Sequence, residues 1–112
     1  MVAGISDHIT PWESCYATTQ LLGGDTRFVL SHSGHVAALV NPPGNPKARY
    51  RVAEDRANPA AAEDWLEGAR ERAGTWWTDW AAWLGERSGD LRRAPRRAGK
   101  RRHPALGAYV LG

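Results

Sequence analysis

The chain has 112 residues, a mass of 12.3 kDa and a net charge of +3, with 42% hydrophobic and 24% charged residues. This is the composition of at most one small globular domain. Its apolar runs are too short to cross a bilayer, and its start does not have the pattern of a secretory leader. Its single cysteine can form neither an internal disulfide nor a cysteine zinc cluster. The sequence therefore predicts a cytoplasmic protein without membrane contact.

The first forty residues predict a helix, a strand and a short apolar segment. Thr10 followed by Pro11 is typical of a helix N-cap and first position, and apolar residues then recur at helical spacing until Gly23 ends the helix. Residues 27–30 form a compact β-type run, and residues 31–35 a polar loop after it. Residues 36–40 are either a helical turn or a buried connector.

The middle of the chain predicts a loop and two helices. Three prolines within residues 42–46 exclude regular structure there, and residues 47–56 are predicted to be irregular. Residues 60–72 are rich in helix formers and predict a helix. Residues 75–87 predict another helix that carries four tryptophans. Its spacing favours a core or docking face over a surface that stacks bases or sugars.

Tryptophan is unusually frequent for so short a chain. Five of the six tryptophans lie between residues 65 and 83. The predicted body, an α/β arrangement of one or two strands plus helices, offers little surface to cover them. An exposed aromatic face would then promote association or poor solubility.

The C-terminal segment is strongly basic. Residues 1–86 hold 7 Lys or Arg and 11 Asp or Glu, whereas residues 87–112 hold 8 and 1. Residues 92–102, RRAPRRAGKRR, have no interleaved aromatic residues and no reading motif, so a solvated tail is favoured over a nucleic-acid site. The predicted division is a folded part at residues 1–87 and a disordered basic tail at residues 88–112.

Asp7 and His35 are the candidate catalytic pair. They are separated by one predicted helix and one predicted strand, which is the chain order of the acid and base in an α/β-hydrolase triad. The alternative is that Asp7 caps a helix and His35 lies on the surface. His8 and His32 are predicted to be surface or supporting residues, and the four histidines have no metal-ligand spacing, so no metal site and no cofactor are predicted.

The chain offers no convincing nucleophile to complete the triad. A nucleophile elbow joins a strand to a helix through a tight turn with small flanking residues, but Cys15 lies inside the predicted first helix. Ser31 and Ser33 lie on the loop of the base itself and also lack an elbow. Cys15 is therefore predicted to be a buried helical residue.

Several longer motifs resemble one enzyme family in order along the chain. Residues 4–12, GISDHITPW, resemble the aspartate motif of the polyhydroxyalkanoate synthases, and residues 28–36, FVLSHSGHV, resemble their histidine motif. The segment that follows in the family resembles residues 41–49, NPPGNPKAR. Residues 75–84, TWWTDWAAWL, resemble its tryptophan-rich C-terminal helix. The Asn-Pro-Pro and Trp-Trp blocks in these two segments resemble the synthases that have one kind of subunit more than those that need a second.

The resemblance implies a C-terminal fragment of an α/β-hydrolase fold from an acyltransferase that polymerises (R)-3-hydroxyacyl-CoA into polyester with release of CoA. It implies that His35 is the general base that activates a cysteine. Asp7 is either the triad acid or the group that activates the 3-hydroxyl of the monomer. The implied partners are the acyl-CoA, the polyester chain and granule surface, and a synthase dimer or the missing N-terminal part.

This sequence departs from the family pattern at three points. The cysteine elbow of the family lies upstream of the segment that matches here, His32 stands where the family has a small or amide residue, and Thr78 stands where a proline often opens the helix. A triad without its nucleophile loses nearly all covalent turnover. The sequence thus leaves open whether the chain is an enzyme, and predicts a fragment inactive alone. The alternative is a non-catalytic module that binds granules, a partner or, through its tail, nucleic acid.

Overall fold

A computed structural model describes residues 1–54 and 58–94 of the chain. Residues 88–94 form no helix or strand, and the rest of the predicted tail, residues 95–112, lies outside the described residues. The described elements are β1 (Val2–Gly4), α1 (Trp12–Ala17) followed by a 3-10 turn (Thr18–Gln20), β2 (Val29–Ser31), α2 (Ala37–Val40), β3 (Arg49–Val52), α3 (Ala62–Gly68), β4 (Arg70–Ala73) and α4 (Trp76–Gly85).

The strands form one mixed sheet in the order β1-β2-β3-β4. β1 and β2 are parallel, with Ala3 opposite Leu30, whereas β3 and β4 each run antiparallel to the strand before them. Helices and a mixed sheet agree with the predicted α/β class. The predicted number of one or two strands is wrong, because the described residues contain four.

The two strands absent from the prediction have different physical origins. β3 has the alternation of a half-buried strand, since Tyr50 and Val52 are buried while Arg49 and Arg51 are half-buried. The prediction of irregular structure over residues 47–56 was therefore wrong for residues 49–52, and residues 55–56 lie outside the described residues. The helix predicted over residues 60–72 is confirmed only in part, as α3 over Ala62–Gly68. β4 replaces its end: this strand is exposed at all four positions, and its pairing with β3 overrides the helical propensity there. A charged strand at the end of a sheet also discourages unwanted pairing.

The first helix begins and ends differently from the prediction. α1 starts at Trp12, and its N-cap is Pro11, which has an extended backbone and no side-chain capping bond. The prediction of Thr10 as N-cap was wrong, because the Thr10 hydroxyl donates to Asp7 instead. The α-helix ends at Ala17 and continues only as the 3-10 turn. β2 begins two residues later than predicted.

One hydrophobic core lies between the sheet and the helices α1 and α3. Trp65 of α3 is at its centre, with ring centroids 4.8 Å from Phe28 and 5.7 Å from Tyr16. The Tyr16 hydroxyl donates to the Pro59 carbonyl at 2.6 Å, which satisfies the polar end of this buried ring. Two of the six tryptophans, Trp12 and Trp65, are therefore buried in this core.

A second, smaller core places α4 against the sheet. Trp76 is buried in one cluster with Val29, Tyr50 and Val52. Successive residues of a strand point to opposite faces, which explains why Val29 faces α4 while Phe28 and Leu30 belong to the first core. Among the helices of the described residues, none is both long enough and apolar enough to span a membrane.

Candidate functional site

Asp7 and His35 lie on two loops that leave neighbouring parallel strands at the same end. The loop after β1 is tied to the loop after β2, because the Ile5 N–H donates to the Ser31 carbonyl at 2.9 Å and the Ser6 N–H to the Ser33 carbonyl at 3.1 Å. The carboxyl ends of adjacent parallel strands are a common place for such groups, since the strands hold the loops in register.

The carboxylate of Asp7 contacts the imidazole of His35 directly. His35 Nδ1 lies 2.9 Å from Oδ2 and 3.1 Å from Oδ1 of Asp7. An ionised carboxylate in this position accepts a proton from Nδ1, so in the neutral ring it favours the tautomer whose lone pair is on Nε2. The two residues selected from the sequence are thus brought together.

Asp7 also organises the turn that follows it. Its Oδ1 accepts hydrogen bonds from the backbone N–H groups of Ile9 at 2.9 Å and Thr10 at 3.0 Å, and its Oδ2 accepts one from the Thr10 hydroxyl at 2.7 Å. The alternative of a capping Asp7 therefore describes part of its role, although the capped segment is a turn before α1. Sequence reasoning missed Thr10 as a ligand of the carboxylate, and the Asp-x-x-Thr pattern was the available signal.

These hydrogen bonds keep Asp7 ionised. The backbone N–H of Thr10 contributes most to holding the pKa of Asp7 far below its ordinary value, burial opposes this shift, and the Thr10 hydroxyl, His35 and the Ile9 N–H add to it. A carboxylate stabilised in this way is a weak base and a lasting negative charge beside the histidine.

The other side of His35 is open. Its side chain is 41% exposed, whereas that of Asp7 is 9% exposed. Within the described residues, Nε2 of His35 has no hydrogen-bond partner, so it can accept a proton from a group that approaches from outside.

The backbone around His35 is held in an unusual conformation. Val36 has φ 48° and ψ −54°, and the N–H of Ala37 donates to the carbonyl of His35 across it. A β-branched residue rarely adopts positive φ, and such strain costs about 1–3 kcal/mol and persists only where the surroundings impose it. The same loop and α2 lie close against β1 at Gly4, where an added Cβ would lie 2.7 Å from the Ser33 carbonyl oxygen and 2.8 Å from the Ala38 Cβ.

Two tryptophans of α4 reach the helix that follows His35. The indole Nε1 of Trp76 donates to the carbonyl of Ala38 at 2.8 Å, and that of Trp77 to the carbonyl of Leu39 at 3.0 Å. The periodicity of the predicted helix placed these rings on a face but gave no sign of these bonds.

The remaining candidate residues stay apart from the pair. His32 Nε2 lies 3.6 Å from Glu71 of β4, and His8 is exposed. Cys15 lies in α1, as predicted, with its Sγ 3.9 Å from the Thr10 carbonyl, but it is half-buried and not buried. In residues 1–54 and 58–94, no three His, Cys, Asp or Glu side chains are grouped so as to hold a metal ion.

Comparison with known proteins gives relatives of one kind. The chain is 51% identical to poly(3-hydroxyalkanoate) polymerase 1 of Ectopseudomonas oleovorans over 113 residues and 47% identical to polymerase 2 of the same organism over 117 residues. It is 44% identical to the poly(3-hydroxyalkanoate) polymerase subunit PhaC of Cupriavidus necator over 108 residues. No family model matches the chain.

These matches cover nearly all of this chain but only a small part of each relative. They cover 97%, 98% and 93% of this chain but 20%, 20% and 18% of the three relatives. The chain thus spans about one fifth of the length of the curated relatives it matches. The resemblance found in the motifs is confirmed along nearly the whole chain.

Proposed function

We propose that this chain, which is related along nearly all its length to the poly(3-hydroxyalkanoate) polymerases, supplies the acid–base pair of a polyester-synthesising active site. The observation that carries the proposal is the contact of 2.9 Å between His35 Nδ1 and Asp7 Oδ2, beside an open Nε2. The substrate class is (R)-3-hydroxyacyl-CoA.

His35 acts as the general base. Its Nε2 takes the proton of a cysteine thiol, and the thiolate sulfur attacks the thioester carbonyl of the acyl-CoA. As the tetrahedral intermediate collapses, the bond to the CoA sulfur breaks, and the imidazolium returns the proton to the leaving thiolate. The acyl group is left on the cysteine, ready for transfer to the hydroxyl of the growing chain.

Asp7 acts as the triad acid rather than as the base for the 3-hydroxyl. Its two oxygens already accept hydrogen bonds from Ile9, Thr10 and His35, and its lowered pKa makes it a poor proton acceptor. The same features suit it to orient the imidazole and to stabilise its positive charge.

The nucleophile comes from outside this chain. Cys15 is fixed in α1 with its thiol directed to the Thr10 carbonyl, and Ser33 belongs to the loop of His35 itself. Since the relatives are about five times as long as this chain, their remaining length offers room for a cysteine elbow. The chain is then a C-terminal fragment that is inactive alone.

Mixing experiments test this function. The purified chain is combined with a cysteine-bearing polypeptide covering the rest of polymerase 1, and CoA release from (R)-3-hydroxybutyryl-CoA is followed. We expect turnover only in the mixture, and a loss of about 1,000-fold or more with His35→Gln. His32→Gln is the matched control on the same loop and should keep the activity. Turnover by the chain alone would contradict the external nucleophile, and turnover insensitive to His35→Gln would contradict the base.

A second candidate function is supported by the surface of α4. Trp80 is 44% exposed beside a cavity of about 300 Å³ that Trp76 and Trp83 also line, which suits binding to a polyester granule or a partner. Co-sedimentation with polyester granules that is lost with Trp80→Ser and undiminished by His35→Ala would favour this non-catalytic role. The nucleic-acid version rests on residues that lie almost wholly outside the described ones.

A further inference from the structure

The indole groups of Trp76 and Trp77 supply hydrogen-bond donors to carbonyls at the end of the short helix α2. The last four carbonyls of an α-helix have no partner within the helix, and α2 has only one turn. Ala38 and Leu39 carry two of these carbonyls, and the first two residues of α4 donate one indole N–H to each, at 2.8 and 3.0 Å. The start of α4 is thus bonded to the end of α2.

α2 in turn is bonded to the carbonyls of Gly34 and of His35 itself. The Ala38 N–H donates to the Gly34 carbonyl at 2.9 Å, and the Ala37 N–H donates to the carbonyl of His35. Val36, which lies between His35 and α2, has a positive φ. A valine keeps such a conformation only where its surroundings impose it. Any shift of α2 is therefore transmitted to the backbone of His35.

We propose that Trp76 and Trp77 are positioning residues for His35, which keep its Nδ1 against Asp7 by fixing α2. The indole N–H groups of both residues donate to carbonyls of α2 and not to the imidazole, so their effect passes through the hydrogen bonds of α2. The inference deepens the proposed function and rests on it for its catalytic meaning, but the geometry that it predicts is measurable without any activity.

The test uses the full chain and its imidazole nitrogen signals. In wild-type protein labelled with ¹⁵N-histidine and held in alkaline buffer, we expect the Nδ1–H tautomer of His35 to dominate, because Asp7 accepts that proton. The signal is assigned with His35→Gln. In Trp77→Phe, and in Trp76→Phe where it folds, we expect the Nε2–H tautomer to become comparably populated, since the loop is released.

Trp83→Phe is the matched control, because Trp83 lies on the same helix and its ring packs instead against the Arg87 guanidinium at 4.3 Å. We expect it to leave the His35 tautomer unchanged, and His32 serves as an internal reference in every sample. A wild-type signal in folded Trp77→Phe would overturn the proposal, as would an equal change in Trp83→Phe. If the tautomer shift is found as expected but the mixing experiment gives no turnover, the result contradicts the proposed function and leaves the positioning role of Trp76 and Trp77 standing.

Discussion

At the scale of single residues, the hydroxyl of Thr10 is the contact of Asp7 that can be removed most cleanly. Thr10→Val deletes the donor at 2.7 Å but keeps the backbone N–H bonds and the side-chain shape. We expect the pKa of Asp7 to rise toward its ordinary value, because the charged form loses a hydrogen bond, whereas Thr10→Ser should keep it low. A ¹³C titration of the Asp7 carboxyl measures this directly.

The same substitution has a consequence for stability with a definite sign. A carboxylate whose pKa is lowered in the folded state contributes its full stabilisation of that state above about pH 5. This contribution is lost as the pH falls through and below the ordinary pKa of an aspartate side chain. The gap in unfolding free energy between wild type and Thr10→Val should therefore narrow on acidification. A gap that widens below pH 5 would contradict the assigned role of Thr10.

Gly4 offers a second residue-scale prediction. A methyl group there meets the Ser33 carbonyl oxygen and the Ala38 Cβ at under 3 Å, so Gly4→Ala must push the His35 loop away from β1. We expect a loss of about 1–3 kcal/mol in unfolding free energy, measured by urea denaturation, together with a changed His35 signal. Gly68→Ala is the matched control, because nothing lies within 4 Å of the added carbon there.

At the scale of elements, the sequence predicted what local patterns encode and missed what the sheet imposes. The tryptophan spacing predicted a helix over residues 75–87, and α4 spans Trp76–Gly85. β4 could not be predicted locally, because Arg-Glu-Arg-Ala has no apolar alternation and is a strand only through its pairing with β3. In the site, Asp7 and His35 followed from motifs and spacing, whereas their support by Trp76 and Trp77 depends on tertiary contacts.

One ion pair adds to the second core in joining α4 to the segment before β2. Arg27, just before β2, donates Nε and a terminal nitrogen to the two carboxylate oxygens of Asp79 at 2.8 and 2.7 Å, and their side chains are 20% and 7% exposed. The bond to Asp79 raises the pKa of Arg27. We expect Arg27→Met to cost about 2 kcal/mol in unfolding free energy, because it leaves Asp79 buried without its cation.

A double-mutant cycle with Asp79→Asn separates the pair from the packing of its side chains. The double variant should be less destabilised than the sum of the single ones. The pair of Arg70 with Glu54, whose side chains are 73% and 51% exposed, is the surface control and should contribute about 0–1 kcal/mol. Additive single variants would show that the ion pair does not join the two elements.

At the scale of the whole molecule, the two faces of the sheet are covered unequally. Trp12, Trp65 and Trp76 are buried, so half of the tryptophans do find cover in this small body. On the α4 side, Trp80 at 44% and Leu22 at 50% exposure remain beside the cavity of about 300 Å³. The number of tryptophans in the sequence predicted an exposed aromatic face that promotes association, and this apolar surface is the exposed face that the structure shows.

Self-association should therefore depend on the α4 side and not on exposed apolar residues in general. We expect Trp80→Ser to weaken association by about tenfold in the dissociation constant, measured by light scattering over a concentration series, because a half-exposed indole ring no longer has to be covered. Leu91→Ser is the control, since Leu91 is fully exposed outside any helix or strand. An equal effect of both substitutions would show that association is nonspecific, whereas an effect of Trp80→Ser alone, with an unchanged His35 signal, would locate it on α4.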